Sequence, residues 1–305
     1  MSARKPLLIC VVGPTAIGKT ALAIKIAKAF SSEIISADSR QFFKELKIGT
    51  AVPSEEELAS VKHHFIQNKT IFENYSVGDF EKEAIQKLDE LFKKNNIAVL
   101  VGGSGLYVDA VTKGLDVFPK VEPEIRAQLN RAFENSGLSN LQKELKEVDP
   151  AYYEAVDLQN RHRLIRALEI IRSTGKPFSS FLKKQPDKRA FETHFVGLNA
   201  ERALVYERIN QRVDIMMEQG LLAEVTSLLP HKDLNALQTV GYRELFQFLE
   251  GKCSLEEAVF EIKKNTRRFA KRQGTWFRKN DAIRWYEYDV DVSEIISEIT
   301  KKSAP

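Results

Sequence analysis

The chain has 305 residues, of which 43% are hydrophobic and 29% charged, an ordinary balance for a soluble globular protein with one large domain and an insertion, or with two domains. Its two cysteines, Cys10 and Cys253, exclude a disulfide framework and a cysteine zinc site, which fits a reducing cytoplasm. The net charge of +4 does not by itself indicate a nucleic-acid partner, so the distribution of the charges matters more.

The first part of the chain alternates predicted strands and helices. The predicted elements are, in order, a strand at 7–12, a glycine-rich turn at 13–20, a helix at 20–30, a strand at 33–37, a helix at 79–95 and a strand at 97–101. The first apolar run is too short to cross a bilayer, and no membrane segment is expected. This alternation predicts an α/β fold with a parallel sheet flanked by helices.

The pattern changes after Pro119. Residues 122–184 show helical patterns separated by glycine and proline breaks, which predicts an inserted all-helical domain. A strand at 195–199 is expected to re-enter the sheet, followed by long helices at 201–219 and 254–279. We therefore predict a core of residues 1–119 and 191–305 that holds a phosphate-binding loop (P-loop), and a helical insertion at 120–190.

The glycine-rich turn carries the most specific motif. The residues Gly13, Pro14, Thr15, Ala16, Ile17, Gly18, Lys19 and Thr20 match G-x-x-x-x-G-K-[ST] between a predicted strand and a predicted helix. In such a loop the backbone N–H groups and the helix N-terminus face a phosphate chain, the lysine adds a full charge, and the threonine hydroxyl can bind Mg²⁺. The motif indicates phosphate binding without identifying a nucleotide.

Two further segments are expected at the same edge of the sheet. Asp38 follows the second predicted strand, and Gly102-Gly103-Ser104 follows the third, where ligands bind in open α/β sheets. Asp38 could be a general base, a water-mediated magnesium ligand or a helix N-cap. Because the third strand ends in glycines and not in a carboxylate, ATP hydrolysis is disfavoured. The pair His63-His64 has no third ligand at metal spacing, so a packing or surface role is expected.

Two basic clusters suggest a polyanionic partner. One lies in the predicted last helix, with Lys263, Lys264, Arg267, Arg268, Lys271, Arg272, Arg278 and Lys279, and the other in the insertion, with Arg161, Arg163, Arg166 and Arg172. The last helix alone fits a solvated surface whose charges complement the helix dipole. Two clusters around a P-loop core favour a nucleic acid.

Taken together, the motifs resemble those of the tRNA dimethylallyltransferases, also called tRNA isopentenyltransferases, over nearly the whole chain. They are, in the family's order, GPTAIGKT at 13–20, ISADSRQ at 35–41, IGTAVP at 48–53, HHF at 63–65, VGGSGLY at 101–107, RLIRALE at 163–169, TVGYRE at 239–244 and AKRQGTWFR at 270–278.

The resemblance implies a reaction and roles. The loop would hold the diphosphate of dimethylallyl diphosphate with Mg²⁺, and an adenine immediately 3′ of the anticodon would be flipped into a channel. Lys19 and Thr20 would serve the diphosphate and the metal, with Arg212 nearby, although Arg208 is close in sequence. Asp38 would take the proton from the amine, while Ser39, Arg40 and Gln41 would hold the flipped base. Ser104 replaces the family's usual threonine, retains the hydroxyl, and would serve both catalysis and tRNA binding.

The resemblance also implies contacts with the anticodon stem-loop of tRNA. The positions are Arg126, His162, Arg163, Leu164, Ile165, Arg166, Gln238, Thr239, Val240, Gly241, Tyr242, Arg243, Lys271, Arg272, Gln273, Gly274, Thr275, Trp276, Phe277 and Arg278. A monomer is expected. The alternatives are an isopentenyltransferase acting on free adenine nucleotides, a P-loop nucleotide kinase or ATPase, and a non-catalytic RNA-binding module.

Overall fold

Two compact units make up the protein. The computed structural model describes residues 5–183, 185 and 187–303. One unit comprises Met1–Lys113 with Lys188–Pro305, and the other is Gly114–Asp187. The second unit begins and ends a few residues before the insertion predicted at 120–190.

A six-stranded sheet forms the centre of the first unit, and all its strand pairs are parallel. The strands are β1 (Leu7–Val12), β2 (Ile34–Ser36), β3 (His63–His64), β4 (Ile97–Gly102), β5 (Glu192–Asn199) and β6 (Ile283–Glu287). Their spatial order is β3-β2-β4-β1-β5-β6. The four strands predicted from the sequence are confirmed, whereas β3 and β6, at the two edges, were not predicted.

Helices cover both faces of this sheet. The helices of the first unit are α1 (Lys19–Ala29), α2 (Glu55–Ser60), α3 (Val77–Phe92) and α4 (Gly105–Lys113), and, after the second unit, α8 (Arg202–Glu218), α9 (Leu221–Leu228), α10 (Tyr242–Leu249), α11 (Leu255–Phe277) and α12 (Val292–Ser303). The capping box predicted at Ser254 is present, because its hydroxyl accepts from Glu257 N at 3.1 Å and the Glu257 carboxylate accepts from Ser254 N at 2.8 Å.

The alternation of β1 builds two cores. Its odd-numbered residues pack with α1 and α12, including Ile26 and Ile295, in one buried cluster. Its even-numbered residues pack with α3 and α4, including Phe80 and Val108, in another. Each such fully buried hydrophobic side chain stabilises the fold by roughly 1.5–3 kcal/mol relative to an exposed one. This double burial explains why LLICVV is apolar at every position.

The second unit is helical in the part of it that the structure describes. It contains α5 (Pro123–Val148), interrupted at Gly137 with φ +66°, then α6 (Pro150–Ala155) and α7 (Arg161–Thr174). Its core includes Leu129, Leu145, Leu164 and Leu168. None of the described helices of either unit has the length and apolar character needed to cross a membrane.

Candidate active site

The phosphate loop joins β1 to α1 in a conformation that depends on its glycines. Gly13 has φ +142°, and a Cβ there would lie 2.6 Å from the carbonyl oxygen of Leu198. Gly18 caps α1 with φ +106°. The sequence therefore turns sharply into the helix and presents the helix N-terminus at the carboxyl edge of the sheet.

Lys19 lies in this loop under unusual electrostatic conditions. Its Nζ donates a hydrogen bond to the carbonyl of Pro14 at 2.7 Å. Burial, followed by the nearby charge of Arg212, lowers the pKa of Lys19 to about 7, although Asp38 acts in the opposite direction. An anion beside Lys19 would favour its charged form, so the site is suited to a ligand that brings negative charge.

Asp38 stands in the turn that follows β2. Its Oδ1 accepts hydrogen bonds from the backbone N–H groups of Arg40 at 2.9 Å and Gln41 at 3.3 Å. Asp38 does not cap a helix, since the next helix in the described chain, α2, begins at Glu55. Burial raises the pKa of Asp38, against the two backbone hydrogen bonds and the charge of Lys19, which lower it. A buried carboxylate with a raised pKa is a better proton acceptor than an exposed one.

The glycine turn after β4 closes on the Asp38 segment. A Cβ at Gly102 would lie 2.3 Å from the carbonyl oxygen of Ala37, so only glycine allows this approach. Beyond it, the Ser104 hydroxyl accepts a hydrogen bond from the backbone N–H of Ser39 at 3.1 Å. The Ser104 hydroxyl thus supports the turn that carries Asp38.

These three segments line one cavity of about 880 Å³, together with residues of α8 and α11. Lys19, Asp38 and Gly103 all contribute to its wall. The expected convergence of the three segments at the carboxyl edge of the sheet is therefore what the structure contains. The volume falls within the range of roughly 300–1,000 Å³ that is usual for small-molecule sites.

Two arginines of α8 approach the loop. Arg212 lines the cavity, and its Nη1 lies 3.4 Å from Thr15 Oγ1, to which it donates. Arg208 donates to the carbonyl of Ile17 at 3.4 Å, and its guanidinium lies over the ring of Tyr288. Of these two arginines, Arg212 lines the cavity and Arg208 does not.

Another part of the cavity wall is held by a carboxylate that the sequence analysis did not identify. Glu224 accepts backbone hydrogen bonds from Lys47, Ile48 and Gly49 at 2.8–3.1 Å, and from the hydroxyl of Tyr242 at 2.6 Å. The segment it holds lines the cavity. The same segment is tied to Gln41, whose Nε2 donates to the carbonyls of residues 50 and 51.

Several positions expected to contact tRNA have buried side chains, and their role as tRNA contacts stays a prediction. They are Leu164, Ile165, Tyr242, Gln273 and Phe277. The two aliphatic residues belong to the core of the second unit, and Phe277 belongs to the core beneath the sheet. Tyr242 is wholly buried, and its hydroxyl donates to the half-buried Glu224. Gly241 is also buried, whereas Val240, Thr239 and Gly274 are half-buried.

Other positions in the same motifs are exposed. They are Arg126, His162, Arg163, Gln238, Arg243, Lys271, Arg272, Thr275, Trp276 and Arg278. Arg126 and the half-buried Arg166 both pair with Glu169, whose side chain is 2% exposed. Trp276 donates from Nε1 to Asp109 at 2.9 Å and lies against Gly105. The role of these exposed residues as tRNA contacts stays a prediction.

The histidine pair has a structural environment. His64 Nε2 lies 2.6 Å from Glu33 Oε2, and His63 Nδ1 lies 2.8 Å from the carbonyl of Val61. Among the described residues there is no group of histidine, cysteine and carboxylate side chains that could hold a metal by itself. The expected packing role of this pair agrees with these contacts.

The chain is similar to proteins of one kind throughout its length. The family model described as IPP transferase matches residues 41–280. A tRNA dimethylallyltransferase from Christiangramia forsetii is 60% identical over 97% of this chain and 98% of that protein, and one from Flavobacterium psychrophilum is 57% identical over 97% and 98%. A tRNA isopentenylpyrophosphate transferase from Bacillus halodurans, 38% identical, superposes with a TM-score of 0.72 over 98% of this chain and 96% of that one. A eukaryotic dimethylallyltransferase acting on tRNA, 25% identical, superposes with a TM-score of 0.79 over 98% and 77%.

Proposed function

The chain belongs to the IPP transferase family, and on that premise we propose that it transfers a dimethylallyl group from dimethylallyl diphosphate to tRNA. The acceptor is the exocyclic amine, N6, of the adenine immediately 3′ of the anticodon, and diphosphate is released. The observation that carries this proposal is the single cavity in which the phosphate loop, with Lys19, and the carboxylate of Asp38 share a wall.

The first chemical requirement is a stable leaving group. As the bond between the allylic carbon and the diphosphate oxygen breaks, its electron pair moves to the diphosphate and negative charge grows there. Lys19, the N–H groups of the loop and Arg212 are fixed around this part of the cavity before the reaction starts. Such preorganised positive charge stabilises the transition state without the reorganisation that water would need.

The second requirement is removal of a proton from a weak nucleophile. The lone pair of the adenine amine is delocalised into the ring, so attack on the allylic carbon must be accompanied by loss of an N–H proton. Asp38 accepts that proton, and its raised pKa favours this transfer. A positioned base of this kind contributes roughly 10²–10⁴ in rate. The N–C bond forms, the C–O bond breaks, and the proton resides on the carboxyl group.

A divalent metal, Mg²⁺ in our proposal, fits the donor set. The Thr20 hydroxyl lines the cavity beside Lys19, and oxygen is the kind of ligand that this ion prefers. Mg²⁺ is commonly held by one or two protein oxygens plus substrate phosphates, which agrees with a site that has no cluster of three acidic or imidazole side chains among the described residues. When bound, such an ion would neutralise charge on the diphosphate.

The exposed basic residues of α7 and α11 are proposed to bind the anticodon stem-loop. Arginine and lysine contacts to the phosphates of RNA supply affinity that depends on salt concentration. Flipping a loop adenine costs only a few kcal/mol, less than in a duplex, which favours an unpaired position. A monomeric state and a cytoplasmic location complete the proposal.

The relatives disfavour the alternative acceptors. Proteins that are 57–60% identical over 97% of this chain are named tRNA dimethylallyltransferases. An enzyme acting on free adenine nucleotides would need neither the helical second unit nor the exposed basic face of α11. A kinase or ATPase would turn over ATP, and a non-catalytic RNA-binding module leaves Lys19 and Asp38 without a role.

The proposal is tested by supplying labelled dimethylallyl diphosphate with unmodified tRNA, AMP or ATP in parallel. We expect label in the adenosine that follows the anticodon after nucleoside digestion, and none on AMP. Label on AMP at a rate comparable with tRNA, or phosphate release from ATP alone, would contradict the proposed acceptor. Loss of transfer in Lys19→Met with retained RNA binding would exclude a simple RNA-binding module.

A further inference from the structure

The last turns of α11 have two chemically different faces. Lys271, Arg272 and Arg278 are exposed. Gln273, which follows Arg272 directly, is only 6% exposed and lines the active-site cavity. A buried carboxamide must have hydrogen-bonding partners, because its desolvation is otherwise costly. The partners of Gln273 are therefore informative about its role.

Gln273 joins two catalytic segments that lie far apart in sequence. Its Oε1 accepts a hydrogen bond from the backbone N–H of Thr15 in the phosphate loop at 2.9 Å. Its Nε2 donates to the carbonyl of Gly103, in the turn after β4, also at 2.9 Å. Since the acceptor and the donor of the same amide are both used, its orientation is fixed.

The phosphate loop needs such a constraint next to Thr15. Ala16 has φ +64°, in the left-handed region that residues with a Cβ adopt only at an energetic cost. The hydrogen bond from Thr15 N to Gln273 and the contact of the Thr15 hydroxyl with Arg212 hold the residue immediately before this strained position. Gln273 thus supports the conformation in which the loop faces the cavity.

The opposite partner is shaped to admit the glutamine. A Cβ at Gly103 would lie 2.3 Å from Gln273 Nε2, so any larger residue would displace the amide. The bare backbone of Gly103 therefore has a specific use, which is to let Gln273 reach across the cavity wall between the turn and the loop.

We propose that Gln273 is a positioning residue for diphosphate binding and not a tRNA contact. It acts through the backbone of Thr15, holding the phosphate loop in the conformation that accepts the diphosphate of the prenyl donor. This inference rests on the proposed function, because it takes dimethylallyl diphosphate as the ligand of the loop. It also separates Gln273 from its exposed neighbours on α11, which face the solvent.

Two substitutions test this role. Gln273→Met keeps the length of the side chain and removes both hydrogen bonds. Gln273→Glu keeps an acceptor for Thr15 N, loses the donor to Gly103 and places a negative charge beside the loop. The matched control is Gln211→Met, the same chemical change at an exposed glutamine of α8. Binding of dimethylallyl diphosphate without tRNA, binding of tRNA alone, and the separate KM values for both substrates are measured.

We expect Gln273→Met to weaken dimethylallyl diphosphate binding by roughly 10- to 100-fold, the usual effect of leaving a buried amide unsatisfied. Gln273→Glu should weaken it at least as much. The KM for the prenyl donor rises, the KM and affinity for tRNA stay at the wild-type values, and Gln211→Met behaves as wild type. Retained tRNA binding also shows that α11 is folded in the variants.

Three results would overturn or redirect the inference. A folded variant of either kind that binds dimethylallyl diphosphate within about twofold of wild type refutes the positioning role. A loss confined to tRNA binding would make Gln273 a tRNA contact instead. If the wild-type protein itself fails to bind dimethylallyl diphosphate, the proposed function fails, and this outcome is distinct from the first two.

Discussion

The lowered pKa of Lys19 predicts that binding of the prenyl donor weakens steeply above neutral pH. In the free protein this pKa is about 7, instead of 10.5, because the ammonium is buried and lies near Arg212. A bound diphosphate would return the pKa towards its ordinary value, so binding takes up a proton wherever the free lysine is neutral. The charged fraction falls roughly 25-fold between about pH 7.5 and about pH 9.

Isothermal titration calorimetry with dimethylallyl diphosphate, in buffers of different ionisation enthalpy, measures both the affinity and the proton uptake. The ligand's terminal phosphate has already ionised at these pH values, since its second pKa is near 6. We expect uptake of close to one proton at about pH 8.5 and a loss of affinity of the size given above. Lys19→Arg, whose charge does not titrate in this range, should bind with nearly constant affinity.

A second readout needs no ligand. Because the folded-state pKa of Lys19 lies below its unfolded value of 10.5, the unfolded chain binds more protons between pH 7 and 10.5. The Lys19 contribution to the free energy of unfolding therefore rises with pH across this window, and Lys19→Met removes that slope. Three results together would refute this explanation of Lys19. They are an affinity for dimethylallyl diphosphate that does not change with pH, no proton uptake on binding, and the same pH slope of the free energy of unfolding in Lys19→Met as in the wild type.

Three further predictions concern other parts of the site and its surroundings. Arg268→Ala combined with Lys271→Ala should weaken tRNA binding and flatten its dependence on salt, measured by filter binding across a salt series, and an unchanged slope would make this face of α11 a solvated surface. Glu224→Gln should lower the free energy of unfolding by about 1–3 kcal/mol in urea titrations, because backbone donors lose a charged acceptor. Arg212→Ala should reduce the affinity for dimethylallyl diphosphate by more than Arg208→Ala, because Arg212 lines the cavity, and equal losses would remove that distinction.

The central strands could be predicted from sequence because their residues are apolar on both faces. The run LLICVV is buried at all six positions. A short run that is apolar at every position and is followed by a glycine turn is typical of a buried strand in a parallel sheet. The edge strands carried no such signal. The β3 strand has two residues, both histidines, and β6 has the sequence IRWYE, in which only Ile283 is buried. Edge strands need burial on fewer sides, so their composition is closer to that of loops.

The site was predictable where a motif specifies backbone conformation. The phosphate loop, the turn at Asp38 and the glycines after β4 follow strands whose ends must meet in a parallel sheet. The role of Gln273 was not predicted, because its partner Thr15 is 258 residues away in sequence. One signal was available: Ala270, Gln273 and Phe277 recur at helical spacing along the buried face of α11.

The same helical phase separates buried from exposed side chains within the motifs expected to contact tRNA. In α7, Leu164 and Ile165 lie inside the core, whereas Arg163, one residue earlier, is exposed. A motif written as a continuous segment does not distinguish the two faces of a helix. Burial separates the residues that hold the helix in place from those that can reach a nucleic acid.

The role of Asp38 as the base is tested most directly by measuring single-turnover prenylation by Asp38→Asn. Both tRNA and labelled dimethylallyl diphosphate are bound beforehand at saturating concentrations. Asparagine keeps an acceptor oxygen for the N–H groups of Arg40 and Gln41 but cannot take the proton from the amine. We predict normal binding of both substrates and a transfer rate lower by about 10²–10⁴. A rate near that of wild type, with both substrates bound, would mean that the carboxylate facing the phosphate loop is not the base.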